Sequence, residues 1–147
     1  LADELLEAIL IPSESAASSP SHSVFLKLGQ RRYLVISAAM IAVSLRWSGT
    51  AGPVLDASAI AVGACGPTAC RLPRLEQQID RMTPPELQQF ASQSLNPDWL
   101  SPLSPITDVR ASADYRLGAR DVMIRRALSV LSQAPGQSVV VRQAAQS

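Results

Sequence analysis

A cluster of cationic and amide side chains interrupts an apolar segment in the first third of the chain. Within residues 25–37, FLKLGQRRYLVIS, the cluster comprises Lys27, Gln30, Arg31 and Arg32. Burying a lone ammonium is costly unless an opposite charge meets it, so Lys27 either reaches the edge of a sheet or faces an anionic or electron-rich group. Arg31 and Arg32 lie where the chain turns, and their planar guanidinium groups suit an interface, the rim of a cofactor site, or plain solvation.

The other reactive residue types give little support for a self-sufficient enzyme. The single histidine, His22, lies in a segment rich in Ser, Ala and Pro, where we expect an exposed loop histidine rather than a catalytic base. The seven glycines are scattered and form no phosphate-binding loop or dinucleotide fingerprint. Cys65 and Cys70 have too few companions for the roughly four ligands of a zinc site. We predict two partly buried thiols beside a Gly-Pro turn, although a short-loop disulfide is geometrically open.

Length and composition indicate one globular domain. The 147 residues are 47% hydrophobic and 17% charged, with a formal net charge of +1. That charge leaves no broad basic surface of the kind that nucleic-acid binding needs. No apolar run approaches the roughly 20 residues of a membrane span, and the acidic start LADELLEAILIP differs from a basic signal peptide. We therefore predict a cytoplasmic chain with no membrane span and no nucleic-acid partner.

The first half of the chain predicts β-strands. The apolar run at residues 5–11, LLEAILI, suits a strand buried on both faces, and residues 24–29, VFLKLG, predict a second short strand. Apolar side chains alternate over residues 39–47, as in a half-buried antiparallel strand. A turn at residues 48–53 then leads into a hairpin partner at residues 54–66.

The second half predicts helices. A short helix is expected over residues 70–80, and Thr83 with Glu86 forms a capping box for the next one. Ser112 or Asp114 can cap a long last helix. The apolar stripe of that helix comprises Leu117, Ile124, Leu128 and Leu131. Since strands and helices are segregated, we predict an α+β fold with an antiparallel three- to four-stranded sheet covered by about three helices.

Three segments in a fixed order are similar to one protein family. They read FLKLGQRRYLVISAAMIAVSL, AIAVGACGPTACRLPRLEQQI and ITDVRASADYRLGARDVMIRRAL, with ILIP upstream. Together they resemble the C-terminal domain of the FAD-binding (medium) subunit of molybdenum hydroxylases, the family of the carbon monoxide dehydrogenase flavoprotein and the xanthine dehydrogenase FAD subunit. The similarity runs from about Leu5 to Leu131. It implies a flavoprotein C-terminal domain at residues 1–135 and a C-terminal extension at residues 136–147.

The resemblance implies a function within a larger assembly. In this family the sheet side closes over an FAD that is held mainly by a preceding domain with glycine-rich loops. Leu1 is not an initiator Met and those loops are lacking here, so we expect the chain to be the second half of a flavoprotein subunit. The implied cofactors are FAD on this subunit and molybdopterin and 2Fe-2S clusters on partner subunits. The implied role is to help enclose FAD and pass electrons from the clusters to an external acceptor, with no catalysis by the isolated chain.

The resemblance also implies the cofactor-binding residues. In this family a leucine before the IP element and a lysine in the FLK element lie near the isoalloxazine, and a following arginine shapes the local field. The matching positions here are Leu6 with its neighbour Leu5, Lys27, and Arg31. A cation beside a flavin stabilises the negative charge of the reduced ring and raises its potential. Xanthine dehydrogenases carry an acidic residue three positions after that arginine, where this chain has Leu34, which argues against NAD as acceptor.

Two other hypotheses remain open on the residues alone. In one, the chain is a non-catalytic structural module whose sheet face docks onto partner subunits, with Trp47 and Trp99 contributing to an aromatic-rich interface. In the other, it is a small-ligand α+β domain unrelated to flavin. Partner mutants that separate the complex but leave FAD bound would favour the structural module.

Overall fold

The structure, a computed structural model, describes residues 5, 7–10, 21–29, 36–49, 52–101 and 103–133. Its four strands are β1, Ser21–Leu28; β2, Ala39–Ser48; β3, Val54–Gly63; and β4, Cys70–Arg71. Its helices are α1, Pro73–Ile79; α2, Pro84–Ala91; a short 3-10 helix, Pro97–Leu100; and α3, Ala113–Gln133. The predicted α+β fold, an antiparallel sheet covered by three helices, is confirmed.

The sheet is a meander in which each strand pairs antiparallel with the next one along the chain, in the order β1-β2-β3-β4. The alternation predicted for β2 is confirmed, because the side chains on one face of this strand are buried. They are Ala39, Ile41, Val43, Leu45 and Trp47. Gly49 follows β2 with a φ of 84°, a left-handed conformation that glycine adopts without a steric penalty.

The helices cover one face of this sheet. α3 packs against β1 and β2, α1 packs against β3, and α2 packs against α3. Of the predicted stripe on α3, Ile124, Leu128 and Leu131 are fully buried, and Leu117 is half-buried. Each fully buried Leu or Ile stabilises the fold by about 1.5 to 3 kcal/mol relative to an exposed one. The core therefore lies between the sheet and the helical layer.

The helix starts follow the predicted caps. The Glu86 carboxylate accepts hydrogen bonds from the Thr83 backbone N–H and hydroxyl, both at 2.8 Å. The Ser112 hydroxyl accepts a hydrogen bond from the Tyr115 N–H at 3.2 Å, so Ser112 rather than Asp114 caps α3. These bonds satisfy donors that the first turn of a helix leaves unpaired.

The predicted buried strand at residues 5–11 is wrong for the described part of that segment. Residues 5 and 7–10 form no strand, and Leu5, Ile9 and Leu10 are 92%, 76% and 91% exposed. An apolar run becomes a buried strand only where a neighbouring strand pairs with it, and the described sheet offers this run no such pairing.

The predictions for His22 and for Trp47 are also wrong. β1 begins at Ser21, before the predicted start, and His22 is buried opposite Leu45 instead of lying in an exposed loop. Pairing with β2 outweighs the loop-like composition of the segment. Trp47 belongs to the core and is 7% exposed, so it forms no exposed interface. Trp99 is partly buried and stacks on Phe90 with ring centroids 5.6 Å apart, so its part in an interface stays a prediction.

Three further sequence expectations concern the start of α1, the C-terminal extension and membrane spans. Cys70–Arg71 pairs with β3 as the short strand β4, and α1 begins after it at Pro73 rather than at residue 70. The predicted C-terminal extension at residues 136–147 lies outside the described residues. Within the part of the chain that is described, no helix has both the length and the apolar character needed to cross a membrane.

Candidate functional site

The two faces of the sheet differ in what covers them. Residues directly opposite one another in antiparallel strands point to the same face, which places Phe25, Ala42 and Ala61 in one row across β1, β2 and β3. Phe25 is 54% exposed, whereas its neighbours on the helix side are buried. Lys27 and Met40 form the adjacent pair on this side. None of the described helices covers this side, which we call the open face.

A cleft with a volume of about 390 Å³ lies at one end of the open face. Its walls come from the end of β1, the start of β2 with the residues just before it, and the turn at residues 64–69 between β3 and β4. The lining residues are Lys27, Ile36, Ser37, Met40, Ala64, Gly66, Pro67, Thr68 and Ala69. We call this space the Lys27 cleft.

Lys27 is the only charged side chain among the described residues that line the cleft. It is half-buried and makes no hydrogen bond or ion pair with any residue that the structure describes. A partly desolvated ammonium without a carboxylate nearby favours an anionic or electron-rich ligand. The cleft can therefore supply positive charge to a bound group.

Met40 forms part of the floor of the cleft because Gly63 has no side chain. Gly63 lies opposite Met40 in the β2–β3 pairing. A Cβ atom added at Gly63 would lie 2.9 Å from the Met40 Cγ and closer still to its Cε. Met40 thus lies flat against the strand, and a larger residue at position 63 would push its side chain into the cleft.

The backbone leaves the sheet beside the cleft at two points. Met40 and Gly63 form the last pair of the β2–β3 register, so Ala38 and Ala64 lie just beyond it. Ala64 has a φ of 61°, a left-handed conformation that costs a non-glycine residue on the order of 1 kcal/mol. This turn directs the 64–69 segment away from β2 and opens the space that the cleft occupies.

Arg116 of α3 connects these two backbone segments from below. Its side chain is buried, with 3% of the residue exposed. Its Nη1 atom donates to the carbonyl oxygens of Ala38 at 2.7 Å and Ala64 at 3.0 Å, and its Nη2 atom donates to Asp108 Oδ1 at 2.7 Å. One guanidinium therefore joins both sides of the cleft to the helical layer.

Asp108 supplies the negative charge that Arg116 needs. Its Oδ1 atom accepts the backbone N–H of Arg110 at 2.8 Å and of Ala111 at 3.2 Å, and Arg110 Nη1 donates to its Oδ2 at 2.9 Å. The pKa of Asp108 is lowered from 3.8 to about 2, chiefly by the Arg110 backbone N–H and then by the Ala111 N–H and the Arg116 guanidinium. The carboxylate is thus ionised at neutral pH.

Of the four predicted cofactor-binding residues, one lines the cleft, one lies outside it, and two are not among the described residues. Lys27 lines the cleft. Leu5 is almost fully exposed and is not part of the cleft lining, so its predicted role stays a prediction. Leu6 and Arg31 lie outside the described residues.

Sequence reasoning missed Arg116 and Asp108, although a signal was present. Arg116 and Arg120 precede Ile124 and Leu128 at intervals of four residues, so both arginines fall on the buried stripe of α3. An arginine on an apolar stripe requires a carboxylate or several carbonyl groups nearby. The segment TDVR just before the helix offers such a carboxylate.

The two cysteines are free thiols, with Cys65 inside the 64–69 turn and Cys70 directly after it. Cys65 is buried and Cys70 is half-buried, in agreement with partly buried thiols beside Gly66-Pro67. Burial raises the pKa of the Cys65 thiol, although the nearby Arg120 and Arg116 act in the opposite direction. Among the described residues no group of three or more His, Cys, Asp or Glu side chains is arranged to hold a metal ion.

Comparison with known proteins agrees with this architecture. A family model described as the CO dehydrogenase flavoprotein C-terminal domain matches residues 24–131. A carbon monoxide dehydrogenase from Hydrogenophaga pseudoflava, solved without the Mo-pyranopterin moiety of its cofactor, aligns with a TM-score of 0.58 and 26% identity over 80% of this chain and 38% of that chain.

Two other solved structures share the fold. Quinoline 2-oxidoreductase from Pseudomonas putida 86 aligns with a TM-score of 0.61 and 21% identity, covering 80% of this chain and 39% of that chain. A reconstituted CO dehydrogenase from Oligotropha carboxidovorans aligns with a TM-score of 0.55 and 22% identity, covering 77% and 37%. This chain therefore spans 37 to 39% of the length of these solved chains. No match was found among curated protein sequences.

Proposed function

The chain belongs to the family of CO dehydrogenase flavoprotein C-terminal domains, and on that premise we propose that it forms the C-terminal part of the FAD subunit of a molybdopterin-dependent dehydrogenase or hydroxylase. The proposed partners are an N-terminal FAD-binding half, an iron-sulfur subunit and a molybdopterin subunit, assembled in the cytoplasm. FAD, when bound, would supply electron transfer from 2Fe-2S clusters to an external acceptor. This chain would contribute enclosure and electrostatics rather than a catalytic group.

The observation that carries this proposal is the Lys27 ammonium in the cleft on the open face, which has no hydrogen-bond or ion-pair partner among the described residues. A flavin ring gains negative charge as it is reduced, and a fixed cation stabilises that charge in a site with restricted water. Lys27 would therefore raise the reduction potential of the flavin. A cation already neutralised by a carboxylate would have a much weaker effect.

The rest of the cleft lining fits a flat aromatic ring. Met40 lies against Gly63 and presents an apolar thioether side chain, and Ala64 and Ala69 add little bulk. Phe25 lies on the same face two residues before Lys27 and is 54% exposed. In the proposal, Leu5, Leu6 and Arg31 complete the flavin surroundings, as the family resemblance implies.

The test uses the native preparation with the chains that copurify. Its visible spectrum should contain flavin bands that bleach on reduction, and a preparation without flavin would refute the proposal. Lys27→Gln should lower the flavin reduction potential by on the order of 30 mV, which is about 1.4 kcal/mol for a two-electron couple. The shift is measured by spectroelectrochemical titration.

Arg46→Gln is the matched control for Lys27→Gln. Like Lys27, Arg46 is a cation on the open face, but it lies on β2 and is paired with Asp56 at 3.1 Å. It is six residues along that strand from Met40, the residue opposite Lys27. That separation is about 20 Å. The control should leave the potential unchanged, and equal shifts in both variants would count against a specific role for Lys27.

A structural docking role is the alternative, and the exposure of Phe25 and Ile36 favours it. These apolar side chains are 54% and 63% exposed beside the cleft, as expected for a surface that another polypeptide covers. Phe25→Asp distinguishes the two roles. Loss of partner chains with FAD retained would support docking alone, whereas loss of FAD with the partners retained would support the flavin-facing role.

A further inference from the structure

The two walls of the Lys27 cleft come from segments far apart in the sequence. One wall contains Ser37, just before β2, and the other is the 64–69 turn. Beyond the Met40–Gly63 pair no β2–β3 backbone pairing holds these walls together. Their separation depends instead on what binds their carbonyl groups.

Arg116 takes the place of the missing sheet pairing. Its Nη1 atom lies 2.7 Å from the Ala38 carbonyl oxygen and 3.0 Å from the Ala64 carbonyl oxygen. Among the described residues it is the one side chain that bonds to the backbone on both sides of the cleft. Because a guanidinium is planar and its donors are fixed relative to one another, it sets the positions of its acceptors more closely than a lysine ammonium does.

The conformation of Ala64 indicates that this bond acts against an opposing strain. A non-glycine residue at a φ of 61° persists only where its surroundings hold it. The carbonyl of that same residue accepts the Arg116 bond. The neighbouring Cys65 carbonyl accepts the Ser104 N–H at 2.9 Å, which ties the next peptide to the 103–110 segment.

We propose that Arg116 is a positioning residue that sets the width of the Lys27 cleft, and thereby the distance between Lys27 and the flavin ring, by joining the carbonyl groups of Ala38 and Ala64. The inference rests on the proposed function of the cleft. Asp108 supports it by neutralising Arg116 and by holding its second nitrogen at 2.7 Å. Arg116 touches no group that reacts, so it acts only through the backbone that it positions.

Arg116→Lys tests the inference because it keeps the charge and removes the fork of donors. The variant is made in the native preparation, and two measurements are taken. The first is the rate at which a thiol reagent labels Cys65, which is 1% exposed and follows Ala64, relative to the half-buried Cys70. Release of the 64–69 turn should raise that ratio about tenfold, as expected for easier local opening.

The second measurement is the flavin reduction potential. If the wall moves, the variant should shift the potential in the same direction as Lys27→Gln, together with flavin binding about tenfold weaker. Faster Cys65 labelling with an unchanged flavin would overturn the positioning role, because the wall would then move without consequence. Unchanged labelling would overturn it as well, because the wall would not depend on Arg116.

Leu128→Ala is the control for a general loss of stability. Leu128 is fully buried on the same helix, twelve residues or about 18 Å further along. It should lower the melting temperature without changing the labelling ratio or the flavin. Equal effects on the flavin at a matched loss of stability would show that Arg116 acts only through global folding and would refute the inference.

Asp108→Asn covers the case in which Arg116→Lys does not fold. It retains an acceptor for Arg116 but removes the charge, so both readouts should change in the same direction by a smaller factor, and no change in either would refute the inference. The Lys27→Gln result separates the two proposals. A flavin that ignores Lys27→Gln removes the proposed function, whereas a response to Lys27→Gln with none to the Arg116 and Asp108 variants removes the positioning role alone.

Discussion

Cations at different places on the sheet have different surroundings. At the end away from the cleft, Arg46 pairs with Asp56 at 3.1 Å, and on the edge strand β4, Arg71 pairs with Glu76 at 2.7 Å. At the cleft end, Lys27 has no carboxylate partner among the described residues. This difference, together with the half-buried position of Lys27 in the cleft, supports the anionic or electron-rich partner that we propose for the Lys27 cleft.

The Arg71–Glu76 pair also shows what a structural ion pair looks like in this fold. Glu76 Oε1 accepts both the Arg71 Nε at 2.7 Å and the Ile60 backbone N–H at 2.8 Å, while Oε2 accepts Arg71 Nη2 at 2.8 Å. One carboxylate thereby joins β3, β4 and α1, and it raises the pKa of Arg71 through the side-chain hydrogen bond. Among the residues that the structure describes, Lys27 has no comparable set of contacts.

The largest expected effect on flavin binding comes from a substitution that fills part of the Lys27 cleft. Gly63→Ala should push Met40 into the cleft, because the new Cβ would lie 2.9 Å from its Cγ. We expect a loss of about 1 to 3 kcal/mol in unfolding free energy. We also expect flavin binding at least about tenfold weaker, measured by ultrafiltration and flavin fluorescence.

Two variants control the Gly63→Ala prediction. Gly52→Ala, where an added Cβ meets nothing within 4 Å, should leave flavin binding unchanged. The double variant Gly63→Ala with Met40→Ala should recover most of the lost affinity, because the side chain that obstructs the cleft is shortened. Weak binding in the double variant as well would mean that Met40 is not the obstruction.

A smaller effect should follow from giving Lys27 a carboxylate partner, which none of the described residues provides. Met40 lies directly opposite Lys27, so Met40→Glu places a carboxylate on the neighbouring strand, with Cβ atoms about 5 Å apart. Neutralising the ammonium should lower the flavin potential by on the order of 30 mV. Met40→Gln is the control, because glutamine has nearly the same shape as glutamate but no charge. An equal shift of the potential in Met40→Gln would mean that side-chain shape, and not charge, causes the effect.

The smallest effect concerns the loss of folding stability at acid pH. We attribute it to Asp108, the carboxylate that pairs with the buried Arg116. The folded-state pKa of Asp108 is depressed from 3.8 to about 2, so its carboxylate stabilises the fold above about pH 4 and loses that contribution as the pH falls through about 2. Asp108→Asn should flatten the loss of stability across this window. The measurement is the free energy of unfolding by urea at several pH values.

The acid prediction has its own control in the exposed pair. Asp56→Asn removes a carboxylate from an ion pair with side chains 38% and 42% exposed, and such pairs contribute less than about 1 kcal/mol. It should retain the steep loss of stability that Asp108 causes. A profile as flat as that of Asp108→Asn would show that the acid response does not belong to Asp108.

Local patterns predicted most of the fold. The alternation along β2, the Thr83 cap and the apolar stripe of α3 each depend on residues close together in the sequence, and all three are confirmed. Burial at residues 5–11 depends on pairing with a distant segment, and local apolar content predicted it wrongly. His22 shows the same limit in the opposite direction, since pairing with β2 buries a residue that its neighbours suggested was exposed.

The candidate site was predicted only in part, because its geometry depends on contacts across the fold. Lys27 was found from its charge within an apolar strand. The bonds from Arg116 to Ala38 and Ala64 span 78 and 52 positions in the sequence, a distance at which side-chain spacing carries no information. The left-handed conformation at Ala64 likewise has no composition signal, since alanine rarely marks such a turn.

The meander order of the sheet has a consequence for how the chain reaches its native state. Each strand pairs with its predecessor in the sequence, so the hairpins close short loops at little entropic cost and the sheet can form early. α3, the last of the described elements, must then return across the domain to pack on β1 and β2. We therefore expect a transition state with an ordered sheet and an undocked C-terminal helix, so that the cleft acquires its final shape in the last step of folding.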